Sequence, residues 1–177
     1  MRKTVIALLV IVAILGGIAV LRAPILEGKI LDSLRPFYVL LFPPDDLYQP
    51  VARFIFDPKD ERTIHTFIFT HRYVGAYSAG LFIEKNIEYH EKQIFPARFE
   101  LRCTSGSTTF MAEELGAEAS PFLGLSGNGF DLVWYQVPRS LPQGAETKCQ
   151  LRVLDGGAKL SARFGKIEFY VQKQSDL

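Results

Sequence analysis

The residues with chemistry to offer are few. They are His65, His71 and His90, a serine in Gly124-Leu125-Ser126-Gly127-Asn128, three adjacent carboxylate pairs, and Cys103 with Cys149. A metal site needs ligands that converge. His65 and His71 share one face of an alternating run but stand six residues apart, too far for one ion unless the strand bends. Neither H-E-x-x-H nor C-x-x-C occurs. The histidines therefore read as polar residues on a sheet surface, and no metal is expected. The serine sits in a near-match to the G-x-S-x-G elbow, with Asn128 where the last glycine belongs. That elbow also needs a strand-to-helix turn, and these neighbours look like loop and strand. A flexible turn is the simpler reading. Asp45-Asp46, Asp60-Glu61 and Glu113-Glu114 are sequence neighbours, so the members of a pair do not face one substrate. The Gly124–Gly129 stretch lacks the lysine and helix start of a phosphate-binding loop. No catalytic set and no cofactor cradle is read, and the expectation is a protein that is not an enzyme.

The cysteines say more. In Ala97–Cys103, Phe99, Leu101 and Cys103 fall on one side, and Arg98, Glu100 and Arg102 on the other. In Lys148–Leu154, Cys149, Leu151 and Val153 share a face opposite Lys148, Gln150 and Arg152. Both cysteines thus sit on the apolar face of a strand. They are expected to meet across a sandwich and to join in an oxidising compartment. A bridge closing about 47 residues is worth on the order of 4 kcal/mol in the chain-entropy account. Two unlinked buried thiols are the alternative. Either way, a buried sulfur makes a poor nucleophile.

The elements that would position these residues are mostly strands. The chain has 177 residues, enough for one cored domain and an extra segment. Aromatics are 12% of it, and they favour the half-buried surface of a sheet. A net charge of +1 leaves no basic footprint for nucleic acid. After Arg2 and Lys3 comes an uncharged run, Thr4–Leu21, without a polar face. It reads as a transmembrane signal anchor, or as a signal peptide with a small-residue cleavage site at Gly17-Ile18-Ala19. Both send the rest of the chain out of the cytoplasm, although Arg22, Lys29 and Arg35 pull the other way.

The domain boundaries read as 1–22 for that segment, 23–50 for a membrane-proximal linker, and 51–177 for the β domain. Within the linker, residues 24–35 could form a short amphipathic helix, and Phe37–Phe42 reads as a first strand stopped by Pro43-Pro44. Strands follow at 51–57, 64–71, 75–85, 97–103, 131–137, 148–154 and 165–173. Phe110–Ser120 reads as a helix stopped by Gly116 or Pro121, and Asn128-Gly129 as a turn. Seven or eight short strands with turns between them predict an antiparallel, immunoglobulin-like β-sandwich.

What remains are surfaces. Residues 104–130 read as one long insertion with apolar tips, Phe122, Leu123, Leu125 and Phe130. It either binds a partner or folds back to cap the core. Of Trp134 and Tyr135, one should face out and could anchor an interface, unless Trp134 packs over the cysteine pair.

With its run Phe67–Lys85, in which Tyr77 and Leu81 would fill the core, the chain resembles small bacterial envelope proteins. These carry one N-terminal anchor and an immunoglobulin-like sandwich, and some are immunity proteins that neutralise toxins. No functional residue is carried over from it; the lack of a catalytic set, the apolar-tipped insertion and the tether at residues 4–21 lead to the expectation of a single-pass inner-membrane protein with a non-catalytic, protein-binding domain in the periplasm. An envelope-complex subunit is a second version. A carbohydrate- or lipid-binding sandwich, or a hydrolase with a concealed site, are the alternatives.

Overall fold

The structure, a computed structural model, describes residues 2–26, 33, 38–39, 41–45, 47–85, 95–124, 127–138, 141 and 144–175. The chain divides into two compact units, residues 1–45 with 176–177, and residues 46–175.

In the first unit, α1 runs Arg2–Leu26, with Pro24 inside it. Val5, Ile6, Leu9–Val12 and Val20 are exposed, and no side of the helix is polar. Among the described residues no helix is long and apolar enough to cross a membrane, so the membrane-crossing expectation for residues 4–21 finds no support there. The described part of Phe37–Phe42 is not a strand. Tyr38, Val39 and Leu41 are helical, and the Phe42 N–H donates to the Tyr38 carbonyl at 2.8 Å. Most of the linker helix foreseen at 24–35 lies outside the described residues.

The second unit holds nine strands among the described residues: β1 (Pro50–Ile55), β2 (Ile64–Thr70), β3 (Ala76–Ile83), β4 (Arg98–Ser105), β5 (Thr108–Leu115), β6 (Ser120–Gly124), β7 (Gly127–Gln136), β8 (Glu146–Asp155) and β9 (Ile167–Lys173). A short helix, α2 (Gly157–Phe164), precedes β9. All strand pairs are antiparallel. They form a five-stranded sheet, β1-β9-β3-β7-β6, and a four-stranded sheet, β2-β8-β4-β5. The predicted two-sheet β fold is therefore present, with nine strands in place of seven or eight.

One core is shared by both sheets. Phe99, Leu101, Leu151 and Val153 from the smaller sheet meet Tyr77, Leu81, Phe169 and Val171 from the larger. Alternation explains β4 and β8: their inward residues are buried while Arg98, Arg102, Lys148 and Arg152 face out. By contrast, β3 is buried along its whole length, Ser78 included. Its outer face is roofed by rings. Tyr170 lies against Gly80, its partner on β3, and Phe122 against Gly129, its partner on β7. A Cβ on Gly80 would sit 2.2 Å from the Phe130 carbonyl oxygen and 2.6 Å from the Tyr170 hydroxyl, so only glycine fits beneath that ring.

Cys103 and Cys149 are joined. The bridge does not cross between the sheets as expected. The two residues face each other on β4 and β8, neighbours in one sheet, with Cα atoms 4.2 Å apart. That spacing belongs to the non-hydrogen-bonded kind of antiparallel pair, in which side chains approach most closely.

The predicted helix over Phe110–Ser120 is β5 and the start of β6. The spacing of Met111 and Leu115 fits a helix, but a hairpin decides the matter. Gly106, at φ 57°, turns the chain directly after β4, and β5 pairs back along it. Asn128 and Gly129 are not a turn but part of β7, and the β6–β7 hairpin closes between Gly124 and Gly127.

Candidate functional site

Residues 104–130, read as one insertion, instead supply the edge strands on one side of both sheets. The chain leaves the small sheet at Leu115 and enters the large one at Ser120. β6 ends its pairing where Ser120 meets Asp131, but β7 continues to Gln136. Along that unpaired stretch lies a groove of about 550 Å³. The end of β5, the crossover and β7 line it.

Its chemistry is acidic. Glu113, Glu114, Glu118 and Asp131 line the groove, and among the described residues no lysine or arginine does. Glu114 is engaged from outside by Arg98, 2.5 Å away, whose other arm pairs with Asp155. The hydrogen bond and charge of Asp155, with the Glu114 charge beside it, hold the Arg98 guanidinium more firmly protonated than usual. Asp131 accepts a 2.5 Å hydrogen bond from the Tyr170 hydroxyl. Burial, and secondarily the Asp131 charge, push that phenol far above its ordinary range, so it stays a donor. Trp134 stands in the groove wall, 58% exposed. Among the described residues, no group of three or more His, Cys, Asp or Glu side chains is placed to hold a metal.

The surface residues chosen from sequence scatter. Trp134 faces out on β7 and does not pack over the cysteines; Tyr135 turns inward against the core. Phe130 is not an exposed tip: it is 1% exposed and packs on Phe95 and Phe164. Phe122 is half-buried, edge-on to Phe82 and Tyr170. Leu123 lies in β6 opposite Asn128, and Leu125 lies outside the described residues, as does His90.

The histidines correct the sheet-surface reading. β2 keeps its even-numbered residues outside, so His65 and the following His71 turn inward. His71 is 5% exposed, ringed edge-on by Phe69, Tyr77, Phe110 and Tyr135. Its Nε2 lies 2.9 Å from the Tyr135 hydroxyl and its Nδ1 3.2 Å from that of Thr147. Burial lowers its pKa to about 4, so the ring is neutral at pH 7. Thr147 is 0% exposed, so this hydroxyl–imidazole pair is sealed from any substrate.

Sequence reasoning missed the groove because it put Glu113 and Glu114 on a helix. The available signal was Ser105-Gly106-Ser107-Thr108, a hairpin turn between two apolar runs. Immunoglobulin constant-type domains divide seven strands as four and three, with an inter-sheet disulfide. This domain divides nine as five and four, with its disulfide inside one sheet. Comparisons with protein-family models, curated proteins and solved structures find no match to this chain.

Proposed function

We propose that this chain is a membrane-tethered, non-catalytic binding module of the bacterial envelope that holds a basic segment of a partner protein in the groove beside Trp134. The observation that carries the proposal is the pairing of one exposed tryptophan with four carboxylates and, among the described residues, no cation in the same wall. Tryptophan anchors interfaces, and it attracts guanidinium and ammonium groups over its ring. Carboxylates steer the same cations and set the register of docking. An immunity protein or an envelope-complex subunit would use such a surface equally well.

The tether rests on α1. Its exposed side chains Val5, Ile6, Leu9–Val12 and Val20 are apolar. Water is a poor solvent for such a surface, whereas an inner membrane with the β domain on the periplasmic side suits it. The disulfide supports the oxidising side. One contact supports the immunoglobulin-like reading of the sandwich: the Tyr77 hydroxyl donates to the Tyr73 carbonyl at 3.0 Å, four residues upstream near the start of a strand. This resembles the tyrosine corner of such domains.

The test is photo-crosslinking from position 134 in the full chain, in its native membrane. One discrete adduct is expected, weakened at raised salt and by Glu113→Lys with Glu118→Lys. Absence of an adduct, or an adduct indifferent to both changes, refutes the groove as the binding surface.

A further inference from the structure

A sandwich of two open sheets has four edges, and in this domain they are guarded unequally. Exposed edges usually carry a charge, a proline, a bulge or a short strand, because unpaired N–H and C=O groups invite another strand. β1 has Pro50, Arg53 and a register shift between Pro50 and Ala52. β5 has Glu113, Glu114 and a shift opposite Cys103–Thr104. β6 is five residues long and contains Pro121. β2 has none of these devices. Ile64-His65-Thr66-Phe67-Ile68-Phe69-Thr70 contains no lysine, arginine, carboxylate or proline, and it pairs with β8 through seven residues without a shift.

The free side of β2 can be identified. Cys103 and Cys149 form a non-hydrogen-bonded pair, so the Cys149 backbone groups point away from β4 and toward β2. Cys149 faces Phe67, which makes that a hydrogen-bonded pair. His65, Phe67 and Phe69 therefore spend their backbone groups on β8. Ile64, Thr66, Ile68 and Thr70 direct theirs to the open edge. These four also carry the exposed side chains, with Ile64 and Ile68 at 52% and 55%. β1 leaves the edge uncovered, since an open groove of about 600 Å³ separates β1 from β2.

We infer that β2 is a self-association edge, on which a second copy of this chain adds its own β2 antiparallel about Phe67. The occupant follows from the strand's self-complementarity. In this register Thr66 faces the partner's Ile68, and Ile64 faces the partner's Thr70. Each is a match of β-branched side chains with no charge opposed. The four free residues become hydrogen-bonded pairs, adding about eight backbone hydrogen bonds. Lys148 and Arg152 lie one strand further back, more than about 14 Å from their counterparts across the axis, beyond the screening length at physiological salt. Two-fold pairing uses each edge once, so the assembly closes as a dimer.

The test uses the full chain in detergent micelles, with mass measured by light scattering. The wild type is expected to be dimeric. Thr66→Lys with Ile68→Lys opposes lysine to lysine twice across the axis and should weaken the dimer by about tenfold or more. Thr66→Glu with Ile68→Glu should do the same, and an equimolar mixture of the two variants should regain the dimer mass. Both positions are exposed, so circular dichroism should remain that of the wild type. A wild type that stays monomeric at the highest attainable concentration overturns the inference, even if β2 then captures a strand of another protein. So does a dimer that survives both variants, or a mixture that stays monomeric.

Discussion

Replacing His71 with glutamine isolates a buried group whose protonation the fold refuses. In the native domain burial holds the imidazole at a pKa of about 4, against 6.5 for a free histidine. The unfolded chain therefore takes up a proton as the pH falls through 6.5, and the native domain does not until about pH 4. Stability from the neutral ring is whole at pH 7, declines across that window, and is fully lost only below both values. The size follows from the shift: about 2 kcal/mol lost between pH 7 and 5, and about 3 kcal/mol by pH 4. Carboxylates respond lower. Burial alone would raise Glu168, but hydrogen bonds and charges from Arg53 and Lys166 leave it below its ordinary 4.5. Arg98 holds Asp155, and Thr63 with nearby backbone N–H groups holds Asp60, below the ordinary 3.8. Their contributions are present above those ordinary values and disappear only as acid reaches the depressed ones. Urea unfolding of the full chain in detergent, followed by far-ultraviolet circular dichroism at pH 7, 6, 5 and 4.5, separates the two windows. Wild-type stability should fall with this profile. His71→Gln should start lower, because Tyr135 and Thr147 lose well-made hydrogen bonds, and should be flat between pH 6.5 and 5. A flat wild type, or a variant that falls as steeply, refutes the account.

Gly80→Ala should cost about 2–3 kcal/mol, because the new methyl meets the Phe130 carbonyl and the Tyr170 hydroxyl, and neither ring nor backbone can withdraw without breaking the sheet. Unfolding in urea measures it, and a neutral or stabilised variant would mean the ring does not lie over the glycine. Cys103→Ala with Cys149→Ala should lower stability by about 2–4 kcal/mol while leaving the strand spectrum unchanged, since β4 and β8 remain paired on both sides of the bridge. An unchanged midpoint, or loss of the β spectrum, contradicts that. Alkylation of the native protein without reductant should add no mass, as both sulfurs are paired.

Some of this architecture is written openly in the chain. The alternation in Arg98–Cys103 and Lys148–Val153 assigns strand, inward face and buried cysteine together, because each residue pair in a half-buried strand carries the same message. It does not say whether two such strands face each other across a core or lie side by side. Both arrangements bury the cysteines equally, and only pairing distinguishes them. Helix α2 was hidden for the opposite reason. It has two turns, glycine at both ends and only Leu160, Phe164 and Gly157 buried, too short a stretch for its one-sided pattern to stand out. His71 is hard to place from sequence because a polar residue type does not by itself give exposure. Its alternation with Thr70 pointed inward, and the nearby aromatics supply a site in which a neutral imidazole can keep two hydrogen bonds.

The proposed binding surfaces were the least legible, and irregularity explains why. A bulge between Ala79 and Gly80 leaves Leu132 without a partner and resets the faces of β7. Counting by twos from Phe130 would bury Trp134. With the extra residue, Val133 and Tyr135 turn in, and Trp134 comes out beside Asp131's side of the sheet. The groove then depends on a mismatch in length: β6 stops opposite Asp131 while β7 runs on to Gln136. A pattern of hydrophobic residues records neither event, since both are properties of how two strands are laid together. The same logic makes β2 distinctive. It is the regular edge in a domain whose other edges are bent, shortened or charged, so the feature to explain is its lack of any guard.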